Sequence, residues 1–287
     1  MRFACALIAA LLLSGCIIDD FDNSDRYQSD FHYTWDMQPD VRVNAESFNG
    51  LIEITGWDQN QVEITGTKFA STEPLRDAIK IDIQHTPGSV DIRAVKPSGR
   101  IGGMGARFTM HVPRSAQLDR ITTSNGGIRI NDVAGAAHLL GSNGIIKVGN
   151  VSGNVDAHTS NGGIDVESIR GGATLKTSNG GIRAENVGGA FDAETSNGAI
   201  ELTAMTAPKE NIRARTSNGG ITLHLPPATA ARLIANTSNS SVSCEFDLTS
   251  RSENRKNHLE GMIGAGGPTI ELNSSNGRIR VLRDKTH

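Results

Sequence analysis

Two carboxylates stand out as groups that could do chemistry. Glu167 and Glu185 each lie six residues after the Asn of a Ser-Asn-Gly triplet, in consecutive repeats. On neighbouring parallel strands they would stand about 4.8 Å apart. A general acid and a nucleophile can use such a separation to open a glycosidic bond, so a polysaccharide-active enzyme is the alternative reading of this chain. The sequence around the pair supplies no Arg, Lys or aromatic platform for a sugar, and aromatic residues make up only 4% of the chain. We therefore expect a non-enzyme with no catalytic residues, because an analogy of fold alone is a weak warrant for activity.

Other reactive residue types are thinly spread. The eight His show no pair at ligand spacing and no Cys partner, so no metal site is expected. The repeated Asn-Gly-Gly-Ile turn lacks the carboxylate that calcium-binding β-rolls place in every Gly-Gly-x-Gly-x-Asp turn, so no calcium and no other cofactor is expected. The Gly-rich stretch 98–105 lacks a Gly-Lys-Ser/Thr ending and reads as a flexible loop. A formal charge of −3 without a basic cluster excludes a nucleic-acid footprint. Of the three Cys, Cys5 and Cys16 fall in or at the end of an apolar leader, so no internal disulfide can form. Cys244 alternates with Val242 and Phe246 and is expected inside as a small hydrophobe.

The residues that recur are turn residues. Ser-Asn-Gly returns at Asn125, Asn143, Asn161, Asn179, Asn197 and Asn218, at intervals of 18, 18, 18, 18 and 21. Three residues after each Asn comes Ile, and two further on stand Ile130, Val148, Val166, Ala184, Leu202 and Leu223. A second alternating run follows at positions twelve and fourteen, as in Val155 and Ala157. This period, with two short alternating runs per unit, predicts an all-β, parallel β-helix-like solenoid of about 18-residue, two-strand coils. The Asn-Gly corner is expected to adopt φ > 0, with Thr and Ser bonding local backbone. The six Asn are expected to form a structural turn ladder, their carboxamides bonding along the axis. Four residues after Asn, the outward row Arg129, Lys147, Asp165, Arg183 and Glu201 alternates in sign from Lys147 onward and is the candidate interaction surface.

Around this array the chain divides readily. Residues 1–15 read as a secretory signal, too short to remain as a bilayer span. Leu13-Ser14-Gly15-Cys16 looks like a bacterial lipobox, which implies lipidation of Cys16 and a membrane anchor. With Ile17 rather than Asp next, the lipoprotein resemblance implies retention at the outer membrane. Residues 16–30 read as an acidic tether. Residues 31–287 then form one domain, with amino-terminal coils and cap at 31–120, the array at 121–225 and carboxy-terminal coils and cap at 226–287. A coil starts at Asn49-Gly50, a short helix is expected within 71–79, and the polar run Thr249–His258 reads as a projecting loop. Coils from Asn239 and then Asn276 close the stack.

Asn49-Gly50-Leu51-Ile52 leading into Gly56-Trp57-Asp58, the repeated Thr-Ser-Asn-Gly-Gly-Ile, Leu223-His224-Leu225-Pro226 and the closing Ser-Asn-Gly-Arg-Ile resemble a bacterial family of candidate adhesins. That family is a domain of unknown function, similar to the head domain of candidate autotransporter adhesins. The resemblance covers about residues 31–283 and implies a parallel β-helix-like fold without catalytic residues to carry over. Together with the lipobox, it supports the expectation of a non-enzymatic cell-envelope lipoprotein whose solenoid surface meets a protein or glycan partner, with adhesion the role that the resemblance implies. A purely structural or signalling role in the periplasm is the other non-enzymatic alternative.

Overall fold

The computed structural model describes residues 25–99, 103–204 and 206–284. The expected signal and the Cys16 lipidation site lie outside the described residues, as does Met205. The chain is a parallel solenoid whose coils each give one strand to a 12-stranded sheet and one to a 13-stranded sheet. In the array, Ile128–Asn131, Ile146–Val151, Ile164–Ile169, Ile182–Val187, Ile200–Thr203 and Ile221–Leu225 lie side by side in one sheet. The return strands Ala137–Asn143, Val155–Thr159, Ala173–Thr177, Phe191–Thr195 and Ile212–Thr216 do the same in the other. Residues alternate in and out, so equivalent apolar side chains stack in columns between the sheets. Ile128, Ile146, Ile164, Ile182, Ile200 and Ile221 are buried, facing Ala137, Val155, Ala173 and Phe191 of the lighter sheet. Each coil alone would expose this face, and stacking removes it from water.

Coil order in space departs from chain order at both ends. The first coil, Arg42–Asn49 with Ile52–Trp57, lies between the later strands Ser89–Val95 and Met104–Pro113 on one side and Gln117–Asn125 and Ile128–Asn131 on the other. Likewise the last coil, Thr269–Ser274 with Ile279–Arg283, inserts between Ile212–Leu225 and the earlier strands Ala231–Thr237 and Val242–Cys244. The expected succession of Asn239 and then Asn276 is thus reversed, and the last coil of the chain is an interior one.

The ends themselves are antiparallel. At the amino end, Tyr27–Asp36 pairs with Gln61–Ala70, and Lys80–Thr86 pairs with Ser89–Val95. Strand structure therefore begins inside the stretch expected to be a tether through residue 30. The alternation Tyr27, Ser29, Phe31, Tyr33, Trp35 supplies one face for the end of the core and outweighs the acidic composition. Helix Glu73–Ala78, with Pro in its first turn, links these pieces. At the carboxy end, Thr249–His258 is no loose loop, because Leu248–Arg255 forms a hairpin with His258–Ile263, which pairs in turn with Ala231–Thr237. Apolar Leu259 and Ile263 alternate along the hairpin and bury, which holds its polar partner strand in place. Cys244 is half-buried at this end, its thiol toward the Phe246 carbonyl at 3.8 Å, rather than fully inside.

Candidate interaction surface

The surface is built on its corners. Asn143 Nδ2 donates to Asn125 Oδ1 at 2.8 Å, and the same bond repeats from Asn161 to Asn143, Asn179 to Asn161, Asn197 to Asn179 and Asn218 to Asn197. Beyond the array it continues from Asn276 to Asn218 and from Asn239 to Asn276, each at 2.7 Å, following spatial rather than chain order. Two residues before Asn, a buried hydroxyl column runs alongside. Thr177 Oγ1 donates to the Gly162 carbonyl and Thr195 Oγ1 to the Gly180 carbonyl, each at 2.9 Å. These hydroxyls bond the neighbouring coil rather than local backbone, so they tie coils together.

The Asn-Gly corner takes the expected positive φ in the first coils, at Gly50, Gly126 and Gly144, with φ of 131°, 156° and 154°. Non-glycine residues take left-handed backbone at the opposite corner, at Asp132, Asn150, Ser168 and Asn186, with φ between 54° and 60°. Along the rest of the Asn-Gly corner the controlling factor is close approach. A Cβ on Gly162 would lie 2.0 Å from the Gly144 carbonyl oxygen, and one on Gly198 would lie 1.9 Å from that of Gly180. Only glycine lets adjacent coils stack at strand spacing there.

On these rails the outward side chains fall into straight rows. Glu53 registers with Arg129, Arg129 with Lys147, Lys147 with Asp165, Asp165 with Arg183, and Arg183 with Glu201. Thr222 and Arg280 extend the row. The five residues expected as an interaction surface are thus brought into one line, with Glu53 and Arg280 added at its ends. Applying the same offset from Asn49 and Asn276 would have found both. Glu167 and Glu185 are cross-strand neighbours. Contrary to the sequence reading, an arginine does accompany them, since Arg183 Nε donates to Glu185 at 2.8 Å. That bond, with Glu201 and Asp165 nearby, raises the already high pKa of Arg183.

The second sheet carries rows that the sequence reading passed over. Asp192 registers with Arg213 and Arg213 with Glu271, while Lys176 registers with Glu194 and Glu194 with Arg215. Glu271 receives Arg215 at 3.0 Å and Arg213 at 3.2 Å, and Asn273 at 2.8 Å. The Arg215 bond, aided by Asn273 and Arg213 against partial desolvation, holds the Glu271 carboxyl below the usual carboxylate range. Asp156 lies between His158 at 2.9 Å and His138 at 3.6 Å. Counting thirteen and fifteen from Asn would have shown most of these positions, but not Arg213 and Arg215, which stand sixteen and eighteen after Asn197 in the lengthened unit, nor Glu271, whose coil enters out of order. A cavity of about 230 Å³, lined by Val187, Phe191, Leu202, Ala204, Pro208 and Ile212, opens where the repeat interval lengthens to 21. Among the described residues no cluster of three or more His, Cys, Asp or Glu could hold a metal ion.

Known proteins can be compared with this geometry. No curated protein matches the chain. A candidate cell adhesion protein from Clostridium sporogenes is 12% identical, with 89% of this chain and 100% of that chain covered and a TM-score of 0.25. A candidate adhesin from Bacteroides fragilis is 11% identical, over 88% of this chain and 97% of its own, with a TM-score of 0.48. A candidate adhesin from Parabacteroides merdae is 12% identical, over 89% and 96%, with a TM-score of 0.33. The family model Toastrack DUF4097 matches residues 39–282, taking in the out-of-order coils at both ends as well as the regular array. The chain belongs to the Toastrack DUF4097 family.

Proposed function

We propose that this protein is a non-enzymatic cell-envelope lipoprotein, held at the outer membrane through Cys16, whose solenoid presents a rigid face to a protein or glycan partner in an adhesin-like role. The observation that carries this reading is the row from Glu53 through Arg183 to Glu201, in which charges stand one strand apart along the stack, continued by Thr222 and Arg280. Spacing of about 4.8 Å per step makes the row a ruler. A partner that repeats along its own length meets many weak contacts in fixed register, and these add through high effective concentration. The Asn and Thr columns keep that register by tying each coil to the next. The apolar leader ending in Leu13-Ser14-Gly15-Cys16 supports the anchor.

Two measurements test the reading together. Cys16→Ser should abolish acyl labelling in cells, and persistent labelling would remove the anchor from the proposal. Surface proteolysis of intact cells, beside a periplasmic control protein, should cleave the wild type. Protection equal to the control would favour a structural or signalling role inside the envelope. For the face itself, Lys147→Glu with Arg183→Glu should leave thermal stability nearly unchanged, because exposed charge pairs contribute about 0–1 kcal/mol. The same double variant should weaken binding of purified protein to a glycan and matrix-protein array. If Glu167→Gln with Glu185→Gln instead abolished hydrolysis of an arrayed glycan, the enzyme reading would replace this one.

A further inference from the structure

The two ends of the stack are finished differently. At the carboxy end the 12-stranded sheet stops on the three-residue strand Val242–Cys244, and the 13-stranded sheet stops on a strand whose pairing shifts register between Thr249 and Glu253. Short edges and bulges are the devices that keep sheet edges from pairing with another chain. Buried Phe246 plugs this end, with the Arg283 guanidinium 4.8 Å above its ring. At the amino end both sheets stop on full strands, Tyr27–Asp36 and Lys80–Thr86, paired on their inner side in unbroken register. Neither contains Pro, and among the described residues no strand pairs with the outer edge of either.

The inward face of these two edge strands is unfinished as well. Phe31, Trp35, Ile81 and Ile83 are only partly buried against the core, and Tyr33 is 38% exposed. Tyr33 stacks on Trp35 with ring centroids 5.5 Å apart, and Trp35 reaches across to His85 at 4.6 Å. The two edges therefore face one way, with an apolar seam between them, and the first is touched near its start by the linking helix, whose Arg76 Nη1 donates to the Gln28 carbonyl at 3.3 Å.

We propose that this end is a homodimer interface, in which a second copy of the chain continues both sheets head to head. A partner that completes only one sheet leaves the other edge open, whereas a second copy offers two edges at the same separation. A two-fold axis normal to the sheets sets each edge strand antiparallel to its own counterpart and keeps inward residues inward. The Trp35–His85 contact fixes the two strands relative to each other. An axis through Phe31 therefore also passes at Ile81, four residues back from that contact on both strands. In this register Asp30 faces His32 of the second copy, Tyr27 faces its Trp35, and Lys80 faces its Asp82, each contact occurring twice. The Lys80–Asp82 charge pair on one edge, together with polar Asp30–His32 and aromatic Tyr27–Trp35 pairs on the other, is what favours a second copy over an unrelated strand.

Sedimentation velocity of the purified full-length protein, in detergent matched in density to the solvent, tests this. Wild type should show a concentration-dependent dimer. Lys80→Glu sets two acidic residues opposite each other at both symmetric positions and should raise the dimer Kd roughly tenfold or more. Adding Asp82→Lys to Lys80→Glu restores opposite charges and should bring the Kd back to within about threefold of wild type. Asp82 also faces Arg93 within the chain, so thermal unfolding of each variant separates intramolecular cost from the interface. A wild type that stays monomeric up to about 100 μM, or a Lys80→Glu variant that dimerises like wild type, overturns the proposal. A swap that fails to restore dimers while the monomer remains folded overturns the register and with it the two-fold arrangement.

Discussion

The Asn ladder and the Glu271 cluster show how single side chains act across coils. Asn179 both donates to Asn161 and accepts from Asn197. Asn179→Ala breaks two bonds and leaves an amide and a carbonyl to find water at an exposed corner, so urea denaturation should show a loss of about 1–2 kcal/mol. Glu271 carries a pH prediction. Its folded pKa is depressed, first by Arg215, so its contribution is fully present above the unfolded value of about 4.3 and is lost as pH falls through the folded one. Wild type should therefore lose stability below about pH 4 more steeply than Glu271→Gln, measured as Tm against pH. Equal slopes would mean that the cluster contributes nothing to folding. The difference should stay near 1 kcal/mol or less, since the carboxylate remains 28% exposed.

At the scale of the element, the coil is the unit that can be added or removed. The strands of one unit register residue for residue with those of the next, as Ile146 to Ile164 and Val155 to Ala173 show. Deleting 143–160 joins Ser142 to Asn161 and preserves every column, so a shorter folded stack should result, read by circular dichroism and a cooperative melt. Deleting only 143–151 should abolish the cooperative melt. The two corners are not interchangeable, because one carries the Asn ladder and the other the left-handed residues Asn150 and Ser168. The two halves of a unit are alike in their inward apolar positions, as Ile182 and Phe191 show, and differ at their corners.

Considered whole, the molecule is locked at both ends by a coil placed out of order. A solenoid wound in strict succession loses only its outermost contacts when its last coil is removed. Here, removing 269–287 takes away a coil bonded on both sides, to Ile212–Leu225 and to Ala231–Cys244. Hydrogen exchange should then show protection lost across residues 212–263 while the array before 200 keeps its own. Protection confined to its wild-type pattern in 231–263 would contradict an interlocked end.

The sequence by itself determined the repeat, the inward columns, the Asn corner and the main outward row. Each of these is a local pattern whose period of two within a strand and eighteen between coils survives in any straight stack. The Asn49 and Asn276 coils were legible for the same reason. Only the tertiary structure decided which coil lies next to which. Neighbour choice depends on columns that every coil shares, so Asn239 and Asn276 read alike along the chain, and long connections place them freely. That choice put Glu271 beside Arg213 and Arg215, far apart in sequence. It also added a second reason for the corner glycines beyond positive φ, because the closeness of the Gly144 carbonyl to Gly162 exists only once coils are stacked.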